Sequence, residues 1–115
     1  MVHTSASLVV RGVIEQAADI DIVARGAAWL AAVALADAGQ ATLTKGRVDQ
    51  KVAVGEDIEI YDGWLGETNE EVVTRSELVN GVPCAPLRDV VAFKQQMGRP
   101  KDLVHLEAIS RFLQR

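Results

Sequence analysis

Apolar and polar residues alternate strictly over the run Asp19-Ile20-Asp21-Ile22-Val23. Successive side chains of a β-strand point to opposite faces of the sheet, so this run predicts a strand. The two isoleucines would enter a core, and the two aspartates would lie together on the opposite face. An earlier apolar run, residues 7–10, fits either a short strand or a helical turn.

A second pattern covers residues 26–38, which are apolar almost throughout, rich in alanine and followed by Gly39. Alanine favours helix and glycine is typical just after a helix end, so the segment predicts a helix. A helix that is apolar all round has to be covered on most sides. Either the sheet and the C-terminal helices cover it, or a second copy of the chain does, in a homo-oligomer.

A β-rich region follows, with predicted strands at residues 41–44, 47–54 and 57–61. Glycine-containing turns separate the three runs, which indicates antiparallel hairpins. Even spacing of valines in the middle strand predicts a buried face, and the charged residues between them predict a face toward solvent. The valines are Val48, Val52 and Val54, and the charged residues are Arg47, Asp49 and Lys51.

The last third of the chain carries helix signals. Thr68 followed by Glu71 is a capping-box pattern, which predicts a helix over residues 69–79. Asn80-Gly81 would end that helix.

Two more helices are predicted after it. Pro86 suits the first turn of one helix and Gly98 its end, and Pro100 begins the last helix. The sequence therefore predicts a single α+β domain over residues 1–115. Its mixed or antiparallel sheet would have about four strands, flanked by helices, and its C-terminus would be helical.

Composition narrows the classes of protein. A hydrophobic content of 49% in 115 residues predicts a packed core. The net charge of −4, without a long basic run, argues against a general nucleic-acid binder. The single cysteine, Cys84, excludes an intrachain disulfide and is interpreted as a small buried hydrophobe. No signal-peptide pattern or membrane-length apolar run is present, so a cytoplasmic protein without a membrane partner is expected.

Two motifs at opposite ends of the chain give the sequence a family resemblance. The first is Arg11-Gly12, six residues, and then Asp19-x-Asp21 followed by aliphatic residues. The second is the run from Lys94 through Gly98-Arg99-Pro100-Lys101-Asp102-Leu103. Together they resemble the nucleotidyltransferase superfamily related to DNA polymerase beta. The second motif resembles the closing motif of small stand-alone members, including those of toxin–antitoxin and abortive-infection systems.

The resemblance implies a fold, a reaction and a metal. A nucleotidyltransferase-like protein uses Mg²⁺, with Mn²⁺ as a substitute, to transfer a nucleoside monophosphate from a nucleoside triphosphate to a hydroxyl of a protein, an RNA or a small molecule. Asp19 and Asp21 would be catalytic carboxylates and metal ligands. A third acid on a neighbouring strand completes the set and helps to activate the acceptor hydroxyl. Glu59, between two isoleucines, is the candidate, and Asp57 is the alternative.

The phosphate-binding turn of that family usually contains Gly-Ser or Gly-Gly. Here the corresponding residues 2–7 contain no glycine, and either Ser5 or Ser7 would supply the hydroxyl and amide for the triphosphate. Lys94 and Lys101, in the second motif, would supply positive charge to the phosphates. Arg11 would either contact phosphate or anchor its loop to a carboxylate.

Other residues and functions complete the expectations. His3 and His105 are expected at the surface, and Asp102 as a helix-start acid paired with Arg99 or Lys101. Two further functions stay open beside nucleotidyl transfer. One is a catalytically inactive interaction module, such as a toxin–antitoxin-type partner, which the missing glycines favour. The other is a domain that senses a metal or a nucleotide without turnover.

Overall fold

A computed structural model describes all 115 residues, as nine strands and five helices. The strands are β1 (Val2–His3), β2 (Ile20–Val23), β3 (Thr42–Lys45), β4 (Gln50–Val54), β5 (Ile58–Tyr61), β6 (Gly63–Trp64), β7 (Glu67–Thr68), β8 (Glu77–Val79) and β9 (Val82–Cys84). The helices are α1 (Thr4–Val10), α2 (Gly26–Asp37), α3 (Asn69–Thr74), α4 (Leu87–Met97) and α5 (Pro100–Leu113).

Seven strands form one mixed sheet in the order β3-β4-β5-β2-β1-β9-β8, and β6 pairs separately with β7. Strand β2 is antiparallel to β1 and parallel to β5, and β1 is parallel to β9. The predicted α+β class, mixed sheet and helical C-terminus are confirmed. The prediction of about four strands is wrong, because β1, β8 and β9 have only two or three residues and are too short to show an alternating pattern.

The helix predicted over residues 69–79 is too long. It begins as expected, because the hydroxyl of Thr68 accepts a hydrogen bond from the backbone N–H of Glu71 at 3.2 Å, but it ends at Thr74. Residues 77–79 form β8 instead, which pairs with β9 across Asn80-Gly81. Both turn residues have positive φ angles, of 51° and 79°. Two such residues make the two-residue turn that matches the twist of a hairpin, so Asn-Gly reverses a strand here and does not end a helix.

The other short segments are close to the predictions, with local differences. Residues 7–10 are helical, as part of α1. Strand β4 begins at Gln50 because the backbone N–H of Gly46 donates to the carbonyl of Asp49, closing a turn over the preceding residues. Val48 therefore lies outside the strand and is 70% exposed, so its predicted burial is wrong. Ile20, at the first position of β2, is also exposed.

Two apolar clusters form the core. One joins α1, α4 and α5 through Leu8, Val90 and Ile109, and the other contains Val23 and Trp64. Cys84 is fully buried as a free thiol, as predicted. None of the helices has both the length and the apolar character needed to cross a bilayer.

Helix α2 is covered on one side only. Ala32 is buried, and Trp29 and Val33 beside it are half-buried, on the face that packs against β3, β4 and β5. Leu30, on the opposite face, is 68% exposed. The C-terminal helices do not cover this face, so the predicted burial of α2 by the sheet together with the C-terminal helices is wrong, and only the sheet covers the helix.

The β8–β9 turn leads to a prediction about stability. Replacing Gly81 by Val should lower the free energy of unfolding by about 1–2 kcal/mol, since a residue with a Cβ is strained at positive φ. Gly81→Asn should cost less, because asparagine tolerates this conformation. Urea denaturation of the two variants measures the difference. Equal losses for Asn and Val would contradict the proposed origin of the strain.

Candidate functional site

A cavity of about 330 Å³ opens beside the middle of the sheet. Four carboxylates line it, from Asp19, Asp21, Asp49 and Glu59, and two cations, from Arg99 and Lys101. Thr4 and Ser5 line the same cavity from the beginning of α1. The structure thus brings together five of the residues predicted from the sequence: Asp19, Asp21, Glu59, Ser5 and Lys101.

The parallel pairing of β2 with β5 places the acids. The register sets Asp21 directly opposite Glu59, so their side chains leave the sheet on the same face. Asp19 lies two residues before Asp21, on the approach to the same strand. Asp57, the alternative third acid, is exposed and does not line the cavity. Glu59 is therefore the acid that accompanies the aspartate pair.

The carboxylates have the chemistry that suits Mg²⁺, although no three His, Cys, Asp or Glu side chains form a compact metal cluster in the structure. Mg²⁺ is commonly held by one or two carboxylates, with water and substrate phosphates as the other ligands. Asp19 and Asp21 could supply those carboxylates, with Glu59 on the adjacent strand. The donor set fits a hydrated ion that arrives with a phosphate better than an ion enclosed by protein.

Asp21 is the carboxylate that most needs a cation. Burial raises the pKa of Asp21, a hydrogen bond from the hydroxyl of Thr4 at 2.9 Å opposes that rise, and the charges of Asp19 and Glu59 add to it. Like charges in a half-buried site repel each other. A divalent cation between them would remove that repulsion.

Glu59 is in the opposite situation. Hydrogen bonds to its Oε2 atom, from the Tyr61 hydroxyl at 2.6 Å and the Lys51 ammonium at 3.0 Å, lower the pKa of Glu59. A carboxylate stabilised in this way is a weak proton acceptor. Its geometry suits a charge-bearing or metal-ligating role better than the activation of an acceptor hydroxyl that the resemblance implies.

The glycine-free turn has a conformation that normally belongs to glycine. Thr4 has a φ of +51°, which is strained for a β-branched residue. Three hydrogen bonds hold it: its N–H donates to Nδ1 of His3 at 2.8 Å, its hydroxyl donates to Asp21, and its carbonyl accepts from the Ser7 hydroxyl at 2.6 Å. Ser7 is fully buried in this contact and is not in the cavity wall, whereas Ser5 is.

Lys94 lies behind the cavity and does not line it. Its side chain is fully buried, and its ammonium donates to Ser5 Oγ at 3.1 Å and to Asp102 Oδ1 at 3.3 Å. Nδ1 of His105 lies 2.9 Å from the same ammonium. Lys94 therefore contacts Ser5, the predicted phosphate-binding residue that lines the cavity, and does not itself reach the cavity wall. His105 is half-buried in this network, so the surface position predicted for it is wrong.

Asp102 pairs with Arg99, which was one of its two predicted partners. It also pairs with Lys94. Arg99 donates to it through the guanidinium Nε at 2.7 Å and through the backbone N–H at 3.1 Å. Burial by itself raises the pKa of Asp102, but the hydrogen bonds from Arg99 and Lys94 outweigh it and bring the pKa down to about 2. Lys101 makes no ion pair in the structure, so it is the cavity-lining cation that is free to contact a phosphate.

Arg11 and His3 occupy other places than the cavity. Arg11 donates to the carbonyl of Ala85 at 2.8 Å and to Glu77 at 3.3 Å, so it fits the predicted alternative of an anchor. His3 is 2% exposed and stacks on Trp64 with ring centroids 4.3 Å apart, so its predicted exposure is wrong. Burial lowers the pKa of His3 to about 4, which leaves the ring neutral near pH 7.

Eight of the thirteen residues that line the cavity were not predicted from the sequence as members of the site, and Thr4, Asp49 and Arg99 are among them. Thr4 belongs to the stretch that was interpreted as the phosphate-binding turn, and Arg99 to the second motif, so both carried a signal. Asp49 was assigned only to a solvent-facing side of a strand. Its place in the cavity depends on the turn before β4, which no periodic pattern indicates.

Comparison with protein-family models, curated proteins and solved structures found no match to this chain. The relationship to nucleotidyltransferases therefore stays a hypothesis.

The low pKa of Asp102 predicts how stability depends on pH. Its folded pKa of about 2 lies below the usual 3.8, so the carboxylate stabilises the fold above pH 3.8 and loses this contribution as the pH falls toward 2. Asp102→Asn should lower the free energy of unfolding by about 3 kcal/mol at pH 7, because Lys94 keeps a buried charge without its partner. The difference in free energy of unfolding between the wild type and Asp102→Asn should decrease by about 2 kcal/mol as the pH falls from 5 to 2.

Chemical denaturation of the wild type and of Asp102→Asn across this pH range measures the difference in free energy of unfolding. Glu107→Gln is the matched control, because Glu107 pairs with Arg111 on the exposed face of α5 and should contribute under about 1 kcal/mol. If Asp102→Asn lowers the free energy of unfolding by the same amount at pH 5 and at pH 2, the ionised carboxylate of Asp102 does not stabilise the fold.

Proposed function

We propose that this chain is a nucleotidyltransferase-like protein that binds a nucleoside triphosphate with Mg²⁺ and transfers the nucleoside monophosphate to a hydroxyl acceptor. The observation that carries the proposal is the in-register placement of Asp21 and Glu59 on parallel strands, with Asp19 beside them, in one cavity. The cavity also contains the free ammonium of Lys101 and the hydroxyl of Ser5. Acids for a metal and donors for phosphate are thus close together.

The proposed division of roles follows from charge and hydrogen bonding. Asp19, Asp21 and Glu59 would hold Mg²⁺, which when bound neutralises charge on the phosphates. Lys101 and the Ser5 hydroxyl would bind phosphate oxygens, and Arg99 would add positive charge at the cavity wall. In the transfer, the acceptor oxygen bonds to the α-phosphorus, the bond from the α-phosphorus to the bridging oxygen breaks, pyrophosphate leaves, and the hydroxyl proton goes to solvent.

The turn at Thr4 supports this proposal in spite of its missing glycine. Its positive φ keeps the backbone in the conformation that the family's glycine is expected to provide. Backbone strain is found preferentially at functional sites, where the surrounding structure maintains it. The catalytically inactive alternative is based on the absence of glycine, and the conformation of the turn weakens that argument.

The test is calorimetric titration with ATP, GTP, CTP and UTP, with and without Mg²⁺. We expect at least one triphosphate to bind in the micromolar range, and only with Mg²⁺. Asp19→Asn and Asp21→Asn should each weaken that binding by at least about tenfold, since even outer partners of a metal site contribute that much. Adding EDTA to the complex should reverse it.

Asp57→Asn is the matched control, because it removes an exposed carboxylate of the same region that lies outside the cavity. Its binding should equal that of the wild type. The proposed site is wrong if no triphosphate binds with Mg²⁺ or Mn²⁺. It is also wrong if Asp57→Asn weakens triphosphate binding as much as Asp21→Asn does.

Self-association through α2 is a second proposed role, which an interaction module of the toxin–antitoxin type would also need. The face of α2 that contains Leu30, Ala31 and Ala34 is exposed and apolar up to Asp37, the last residue of the helix. Exposed apolar surface on a helix is typical of an interface. A second copy of the chain is the occupant we propose, as an extension of the predicted homo-oligomer.

Light scattering tests this role. The wild type should be dimeric at micromolar concentrations, and Leu30→Glu should be monomeric because it places a charge in the interface. Leu78→Glu is the control, since Leu78 is 77% exposed but lies on β8, away from α2. A wild type that stays monomeric at all concentrations would exclude the interface.

A further inference from the structure

The cavity also has an apolar wall, formed by Leu65, Phe93, Met97 and Trp64. The guanidinium of Arg99 lies over the ring of Phe93, 5.9 Å from its centroid, so this wall adjoins the cationic side of the cavity. The wall is held firmly, because Trp64 stacks on the buried His3 and lies 5.3 Å from Phe93, measured between ring centroids. A volume of about 330 Å³ is at the lower end of the range for small-molecule sites, and it suits a planar heterocycle packed against apolar side chains.

Asp49 places a free carboxylate in the same cavity. Its side chain is half-buried and makes no hydrogen bond and no ion pair in the structure, unlike Glu59 and Asp21. It lies against Gly63, where a Cβ atom would come within 2.6 Å of Asp49 Oδ1. The glycine therefore leaves room for this carboxylate, and a larger residue at position 63 would displace it.

We propose that Asp49 reads the base of the bound nucleotide and makes this a site for guanine nucleotides, an inference that depends on the proposed function. The edge of guanine carries two neighbouring donors, N1–H and the 2-amino group. A carboxylate has two acceptor oxygens and no donor, so it matches this edge with two parallel hydrogen bonds. The apolar wall would pack against the same base.

The other bases match Asp49 less well. Adenine and cytosine each present an amino donor beside an unprotonated ring nitrogen, and that lone pair repels a carboxylate. Uracil presents one N–H between two carbonyl oxygens, which are also acceptors. Guanine is the one common base whose edge offers a pair of donors and no acceptor between them.

The experiment compares GTP, inosine triphosphate and xanthosine triphosphate with ATP, CTP and UTP, each with Mg²⁺, on the wild type and on Asp49→Asn. The wild type should bind GTP about tenfold to a hundredfold more tightly than the other common triphosphates. Inosine triphosphate, which lacks the 2-amino group, should be intermediate. Asp49→Asn should lose the preference for GTP and gain affinity for xanthosine triphosphate, because an amide offers one acceptor and one donor to N1–H and the 2-carbonyl.

The gain of xanthosine binding cannot come from a misfolded variant, and thermal unfolding checks the fold directly. Glu56→Gln is the control, since Glu56 is exposed in the turn before β5 and outside the cavity. If all triphosphates bind equally well to the wild type, or if Asp49→Asn weakens all of them equally, the assignment of Asp49 is wrong and the nucleotide site remains. If no triphosphate binds, the proposed function itself fails and this inference fails with it.

Discussion

The buried ammonium group of Lys94 joins parts of the chain that are far apart in sequence. It reaches Ser5 on α1 and both Asp102 and His105 on α5, while Lys94 itself belongs to α4. Removing an ammonium from water costs several kcal/mol, which is offset only where all its donors are satisfied. Three partners satisfy them here, so the first turn of α1, which contains Ser5, is fixed to α4 and to α5, next to Arg99 and Lys101. This side of the cavity therefore forms as a unit.

The acidic side of the cavity depends on the parallel pairing of β2 and β5. Two carboxylates directly opposite each other would repel, but their environments differ. Tyr61 and Lys51 compensate the charge of Glu59, whereas Asp21 receives one neutral hydrogen bond from Thr4. The uncompensated charge is thus concentrated at Asp21 and Asp19. Because of this asymmetry, a cation is attracted most strongly to β2, next to the turn at Thr4, and less strongly to Glu59 on β5.

The elements of the fold that could be predicted are those whose residue pattern repeats over several positions. The alternation around Asp21, the alanine-rich helix α2, the ends of α4 and the start of α5 all follow from local preferences. Strands of two or three residues leave no such trace, and Asn80-Gly81 is compatible with a helix end as well as with a hairpin until its pairing partner is known. The burial of His3 depends on Trp64, which is distant in sequence. The acids of the site could be predicted from alternation together with the family resemblance, but the direction of Lys94 and the place of Asp49 depend on tertiary contacts.

The missing glycine in the turn at Thr4 can now be interpreted physically. A glycine would adopt the positive φ without strain, which for other residues costs on the order of 1–3 kcal/mol, but it has no hydroxyl to give to Asp21. Thr4 combines both requirements, because contacts with His3 and Ser7 maintain the strained backbone while its hydroxyl stabilises the acid. A hydrogen bond from Thr4 therefore joins the turn to the carboxylate of Asp21. A cation bound at Asp21 would share this carboxylate with the hydroxyl of Thr4, so its charge would act on the contact that holds the turn.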